Sequence, residues 1–242
     1  MTPEPRSIRL ISFDVGGTLI HPDPSVGTVY AEVLSRRGFA CAAQDVDGAF
    51  EASWEASARQ MPPSCERYSN SPQGERGYWR DLLRDMVRRL GGSESPTGAA
   101  DELFERFAQA QTWRIYPDVM PTLKELSGRK VPMAIVSNWD SRLPGLLREL
   151  GLRPFFGPLL VSALEACEKP DSRIFHRAAQ RAGVLPREVL HVGDRDREDF
   201  EGALQAGCLA LKIERNGGSG IGLEAVLRRL EEDDAHRNGG QR

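Results

Sequence analysis

Lysine is scarce in this chain: Lys124, Lys130, Lys169 and Lys212 are the only four, against 28 arginines in 242 residues. Genome composition accounts for such a bias, but the scarcity restricts any chemistry that needs a lysine to those four side chains. None falls between residues 20 and 113. Cysteine is also sparse. Cys41, Cys65, Cys167 and Cys208 are widely separated and form no CxxC pair, a pattern of reduced thiols and not of a disulfide framework or zinc site. No apolar run approaches the ~20 residues of a membrane span. The opening MTPEPRSIRL mixes acid and proline and does not read as a signal peptide. With a net charge of −3 and neither a basic stripe nor a Lys-rich tail, nothing argues for a nucleic-acid partner. A cytoplasmic protein without membrane or nucleic-acid partners is expected, long enough for one large core or a main core with a smaller insertion.

Short apolar runs alternate with helical patterns over much of the chain. IRLISFDV at 8–15, VPMAIVSN at 131–138, GPLLVSA at 157–163, EVLHVGD at 188–194 and LALKIE at 209–214 read as buried strands. Helical spacing fills 118–127, 141–150, 172–182 and 199–206. This alternation predicts an α/β fold with a parallel, Rossmann-like sheet covered on both faces, with ligands beyond the carboxyl ends of its strands. Residues 20–113 break the pattern: four stretches have helical spacing and none reads as a strand. In YWRDLLRDMVRRL the apolar positions 78, 79, 82, 83, 86, 87 and 90 form one helix face. The expected organisation is therefore a core of residues 1–19 and 114–242 with an all-helical insertion at 20–113. A Pro, Gly and Ser-rich loop is expected at 61–77, and a disordered tail over 231–242.

Four polar signatures punctuate the strands: ISFDVGGTL at 11–19, VSNWD at 136–140, EKPD at 168–171 and HVGDRDRED at 191–199. Asp14, Ser137 and Asp194 each fall at the carboxyl end of an expected strand, so separate motifs converge on one rim. Singly, each has a plain structural reading. A strand-ending Asp sits in many turns, Ser-Asn often caps a helix, Lys-Pro often opens one, and the acids after Gly193 pair readily with Arg195 and Arg197. Gly16 and Gly17 permit a tight turn and a close backbone approach.

The four signatures in this order resemble the haloacid dehalogenase superfamily, mostly phosphatases that use an aspartate nucleophile and Mg²⁺. The resemblance spans roughly residues 8–214 and implies that 20–113 is a helical cap. It is nearest to the subgroup of haloacid dehalogenase-like hydrolase domain-containing proteins that also lack the second aspartate of the first signature. Carried over residue by residue, it implies that Asp14 is nucleophile and metal ligand and that the Gly16 backbone carbonyl is a second ligand. Ser137, Asn138 and Lys169 would bind phosphate, with Ser137 and Lys169 also serving catalysis. Asp194 would ligate Mg²⁺, and Asp199 would support the metal or its waters. The expected substrate is a small phosphorylated metabolite, and the expected assembly a monomer or homodimer.

At one position the chain departs from the family. Gly16 stands where most such phosphatases carry a second aspartate, and glycine has nothing to titrate. Losing a positioned proton donor costs ~10²–10⁴ in rate. Three readings stay open: a phosphatase, slow or restricted to good leaving groups; a phosphate-binding protein without turnover; and a 2-haloacid dehalogenase-type hydrolase. The acidic run after Gly193 speaks against the last, which needs no metal. The absence of lysine from 20–113 speaks strongly against Schiff-base chemistry of the phosphonoacetaldehyde hydrolase kind, which needs one from the cap. Around the site, His21 is a candidate replacement acid, and Arg67, Tyr68, Arg76 and Arg80 are candidates to hold an acidic substrate.

Overall fold

A computed structural model describes residues 8–60, 65–68, 71–215 and 221–239. Seven strands form among them: β1 (Leu10–Phe13), β2 (Ile20–Pro22), β3 (Trp113–Ile115), β4 (Met133–Ser137), β5 (Leu159–Val161), β6 (Val189–Gly193) and β7 (Leu209–Lys212). Five of these build one sheet in the order β5-β4-β1-β6-β7, and every pairing in it is parallel. The apolar runs lack alternation because both faces are covered. Ile11, Phe13, Ile135 and Val192 point to one side, into a cluster with α5 (Val119–Gly128), α6 (Leu143–Glu149) and α10 (Ala225–Gly239). Leu10, Ala134, Val136 and Val189 point to the other, against α8 (Ser172–Ala182) and α9 (Gly202–Gln205). A short α7 (Ser162–Glu165) follows β5 directly. The chain builds outward from β1 through β4 to β5, then returns to β1's other side with β6. That reversal opens a crevice at the carboxyl end of β1, where Asp14 emerges.

The segment between β2 and β3 folds as α1 (Val26–Arg36), α2 (Ala43–Gln60), α3 (Gly74–Arg89) and α4 (Ala99–Arg106). Their apolar faces close on one another through Val29, Val33, Val46, Leu83, Met86 and Leu103, a cluster distinct from the two around the sheet. The helix face read at 78–90 is the buried one: Tyr78, Leu82, Leu83, Met86 and Val87 all lie inside.

Four expectations need correction. Residues 20–113 do contain strand: β2 pairs antiparallel with β3, Ile20 against Ile115 and Pro22 against Trp113. Three residues carry no periodicity, and their partner lies far along the chain. The loop expected at 61–77 ends sooner, because α3 starts at Gly74, and residues 61–64 and 69–70 lie outside those described. The helix expected at 199–206 begins as a π-turn over Asp196–Glu201, with Phe200 N–H bonding the Arg195 carbonyl at 3.2 Å. The tail expected to be disordered continues α10 as far as Gly239, leaving 240–242 outside the described residues. Among the described residues no helix is long and apolar enough to cross a membrane. All four cysteines are free.

Candidate active site

Three neighbouring strands deliver the first groups. Asp14 follows β1, Ser137 closes β4, and Asp194 follows β6. Ser137 Oγ donates to Asp14 Oδ1 at 2.8 Å, and Lys169 Nζ donates to the same oxygen at 2.7 Å. Lys169 also bonds Asp199, so one ammonium bridges two carboxylates. Its backbone is fixed by Asn138, whose Oδ1 accepts from Lys169 N at 2.7 Å and whose Nδ2 donates to Lys169 O at 2.9 Å. The amide expected to meet phosphate oxygens is thus engaged at both ends, and its first effect is to position Lys169.

Asp14, Ser137, Lys169 and Asp199 are all buried, Asp14 at 7% exposure. Burial raises the Asp14 carboxyl above its usual range, with Lys169 opposing it. For Asp199 burial acts the same way, but Lys169 and His191 outweigh it and hold that carboxyl well below the ordinary value. Burial would lower Lys169, yet its two carboxylate partners keep it firmly protonated. His191 lies beneath, with Nε2 3.1 Å from Asp199 Oδ1 and Nδ1 2.9 Å from Ser12 Oγ. Burial depresses its pKa, so the ring is neutral near pH 7. The tautomer that satisfies both contacts donates from Nε2 to Asp199 and accepts at Nδ1 from Ser12.

Asp14, Asp194 and Asp199 bring carboxylate oxygens within 4.8 Å of one another. Three acids face one lysine and, 3.8 Å from Asp194, an Arg195 that also pairs with Glu51, so negative charge stays in excess. Burial, then the charges of Asp14 and Asp199, push Asp194 up to about 7. Hard oxygen donors in a desolvated, over-acidic cluster fit a divalent cation such as Mg²⁺. Among the described residues Asp194 accepts one hydrogen bond, from Thr18 Oγ1 at 3.0 Å. Asp199 differs, because Lys169 and His191 occupy Oδ1 and Arg195 N donates to Oδ2 at 3.0 Å. It supports the cluster more readily than it ligates. The glycines make the approach possible. A Cβ on Gly17, at φ 77°, would lie 2.4 Å from Asp194 Oδ2, and one on Gly193 2.2 Å from Asp199 Cγ.

A cavity of about 250 Å³ joins these groups to the helical segment. Asp14, Gly16, Ser137, Asn138, Lys169 and Asp199 line one part of it. Much of the remainder is aromatic. Two arginines also reach it, Arg67 buried and Arg142 half-buried. Arg67, from the loop before α3, pairs with Glu168 through Nε at 2.9 Å and Nη2 at 3.0 Å, and stacks 4.0 Å over Trp54. Arg142 pairs with Asp140 through Nε at 2.8 Å and stacks 3.7 Å over Phe104, while Trp79 Nε1 donates to Asp140 at 2.8 Å. Of the four residues expected to hold substrate, Arg67 and Tyr68 line the cavity. Arg76 and Arg80 instead form surface pairs with Asp101, and Arg76 also with Glu105. His21 Nδ1 lies 3.1 Å from the Pro22 carbonyl and its ring packs on Tyr116, away from the cavity.

Sequence reasoning missed Glu168, Asp140, Arg142 and the aromatic wall. Glu168 and Asp140 do sit inside the EKPD and VSNWD signatures, which was their only signal. Trp139 was missed as well. Its backbone N–H and C=O both bond Ser162 Oγ at 3.1 Å, holding the indole over Gly16.

The fold and this site define a Rossmann-like α/β protein with a buried acidic centre at its strand carboxyl ends. The chain belongs to the haloacid dehalogenase-like hydrolase family, whose model matches residues 8–207. It is 35% identical over 203 residues to haloacid dehalogenase-like hydrolase domain-containing protein 3 of Mus musculus, covering 83% of this chain and 79% of that one. It is 34% identical over 140 residues to the glyceraldehyde 3-phosphate phosphatase of Methanopyrus kandleri, covering 54% of this chain and 57% of the relative. Among solved structures it is similar to a 2-haloacid dehalogenase of Pseudomonas syringae, with 26% identity and a TM-score of 0.57 over 92% of this chain and 99% of the other.

Proposed function

We propose that the protein is a Mg²⁺-dependent phosphatase acting on a small phosphorylated metabolite through an aspartyl-phosphate on Asp14. The observation that carries this reading is the arrangement about Asp14: a lysine and a serine on one carboxylate oxygen, with the other carboxylates of an acidic cluster within 4.8 Å. Asp14 Oδ2 accepts no hydrogen bond among the described residues and is open toward a ligand. An anionic nucleophile and an anionic phosphate repel each other, and a cation held by Asp14, Asp194 and the Gly16 carbonyl supplies the charge that offsets this. Lys169, kept protonated by two carboxylates and fixed by Asn138, neutralises further charge on the phosphoryl oxygens. Ser137 Oγ orients Asp14. Attack on phosphorus splits hydrolysis into two steps, with Asp14 regenerated when water releases phosphate.

A panel of phosphorylated metabolites assayed with Mg²⁺, beside an Asp14→Asn control, tests the proposal. Expected is phosphate release that chelator and Asp14→Asn both abolish. Release at the wild-type rate from Asp14→Asn overturns it. A second reading, 2-haloacid dehalogenation, draws on the glycine at position 16 and on the similarity to a solved dehalogenase. Chelator-resistant release of halide from 2-haloacids would decide for it.

A further inference from the structure

The aromatic wall is continuous. Ring follows ring from Trp139 to Trp113 at 5.1 Å, Phe107 at 5.8 Å, Tyr30 at 5.7 Å, Phe50 at 5.8 Å and Trp54 at 6.1 Å. All six line the one cavity that also holds Asp14 and Lys169. The wall begins beside the nucleophile, because Trp139 packs on Gly16, two residues from Asp14. We propose, resting on the phosphatase reading above, that the site takes phosphate esters whose leaving group is a neutral planar ring: aryl phosphates.

Charge and size select this class. The cations lining the cavity already face carboxylates: Arg67 with Glu168, Arg142 with Asp140, Arg195 with Glu51, and Lys169 with Asp14 and Asp199. Their charges are thus offset, and a carboxylate or second phosphate on the leaving group finds no uncompensated cation, although Arg67 Nη1 is a buried donor without a partner among the described residues. A cationic leaving group such as choline would enter a cavity that already holds two guanidinium groups, Arg67 over Trp54 and Arg142 over Phe104, and like charge opposes it. Sugars and glycerol would bury hydroxyls against rings that offer few partners, at a cost. A cavity of about 250 Å³ is ample for one ring, since ~150 Å³ of apolar space admits benzene.

The chemistry agrees independently. As Asp14 Oδ2 bonds to phosphorus, the phosphorus–oxygen bond to the ring breaks, and its electron pair leaves on the aryl oxygen. A phenolate departs without a proton, whereas an alkoxide needs the donor that Gly16 does not provide. Water then attacks the aspartyl-phosphate, giving inorganic phosphate and a proton and restoring the Asp14 carboxylate.

The test separates ring recognition from leaving-group ability. With the full chain and Mg²⁺, kinetics compare 1-naphthyl and phenyl phosphate with acetyl phosphate, which leaves well but has no ring, and with glycerol 3-phosphate and choline phosphate. The aryl esters are expected to show KM roughly 10-fold below acetyl phosphate, and kcat/KM ~10² or more above the alkyl esters. Phe50→Leu is expected to shrink the aryl-to-acetyl KM advantage about 3–10-fold. A binding measurement needs no turnover. All four tryptophans of the chain, Trp54, Trp79, Trp113 and Trp139, line the cavity. Their fluorescence is expected to report phenylphosphonate binding about 10-fold tighter than methylphosphonate. Equal KM for naphthyl and acetyl phosphate overturns the ring preference and leaves the phosphatase reading standing. Preference for choline phosphate overturns it in favour of a cation cage. If no ester turns over but phenylphosphonate still binds the more tightly, the ring preference stands and the phosphatase reading falls. If neither phosphonate binds, the ring preference falls too.

Discussion

The indole of Trp139 lies over Gly16, so near that a Cβ on the glycine would come 3.1 Å from Trp139 Cζ3. The left-handed residue of this turn is Gly17, not Gly16. What resists a side chain at position 16 is therefore a ring and not a backbone torsion.

Gly16→Asp alone is accordingly expected to lower the thermal midpoint and to give no gain in rate. Combined with Trp139→Leu, which clears the space, it is expected to speed alkyl esters more than aryl esters, within the ~10²–10⁴ that a positioned acid supplies. The two variants' midpoints and alkyl-to-aryl rate ratios are the measurements. A stable single variant that gains on alkyl esters would show that the indole moves aside freely.

Removing the nucleophile and removing its lysine should have opposite effects on stability. Asp14 is a buried carboxylate that burial already disfavours, and in Asp14→Asn the lysine keeps Asp199. That variant is expected to be inactive with an unchanged or higher unfolding midpoint. Lys169→Met strands two buried carboxylates and is expected to cost ~3–5 kcal/mol without metal. Denaturant unfolding in chelator measures both.

Asp194 makes the metal-free protein sensitive to pH. Its carboxyl is raised from an ordinary 3.8 to about 7. The folded state then holds the proton more tightly than the unfolded chain. This contribution to stability is complete below the unfolded value and is lost as pH rises through the folded one. In chelator the midpoint is expected to fall between pH 4 and 7 by more in the wild type than in Asp194→Asn. Saturating Mg²⁺ should flatten the wild-type slope, because the cation replaces the proton. An equal slope in both proteins would assign the sensitivity elsewhere.

Arg67 and Glu168 tie the helical segment to the residue next to Lys169, with the arginine 2% exposed. Either single change, Arg67→Met or Glu168→Met, leaves one charge buried without its partner and is expected to cost ~3–5 kcal/mol. The double variant should be more stable than either single one. A double-mutant cycle in denaturant measures the coupling, and additive costs would mean that water reaches the site in solution.

The parts legible in the sequence were those with local signals. Five apolar runs announced the sheet, and Asp14, Ser137 and Asp194 were readable because each ends such a run. Lys169 stood out in a chain with four lysines. The illegible parts are contacts between distant positions. Nothing near Arg67 announces Glu168, and rings from Tyr30 to Trp139 show no common wall until α1, α2, the end of α4, β3 and the turn after β4 bring them together. The tail misled because its composition is charged. Yet Leu230 is buried on α10, and Asp233 accepts the Ile8 amide at 3.0 Å, so a few positions anchor the helix.

The central position of β1 has a consequence for biosynthesis. Leu10–Phe13 is made long before its two neighbours, β4 and β6, which start only at Met133 and Val189. At ~5–20 residues per second the ribosome needs roughly 6–24 s to travel from Phe13 to Met133. Throughout that interval a four-residue strand, apolar at Leu10, Ile11 and Phe13, presents two bare hydrogen-bonding edges, a template for pairing with other chains. The helices α1–α4, which bury their own apolar faces, can close meanwhile but do not cap those edges. Ribosomes that stall before Met133 should therefore yield sticky fragments, and every release before Asp199 yields a chain without its acidic cluster.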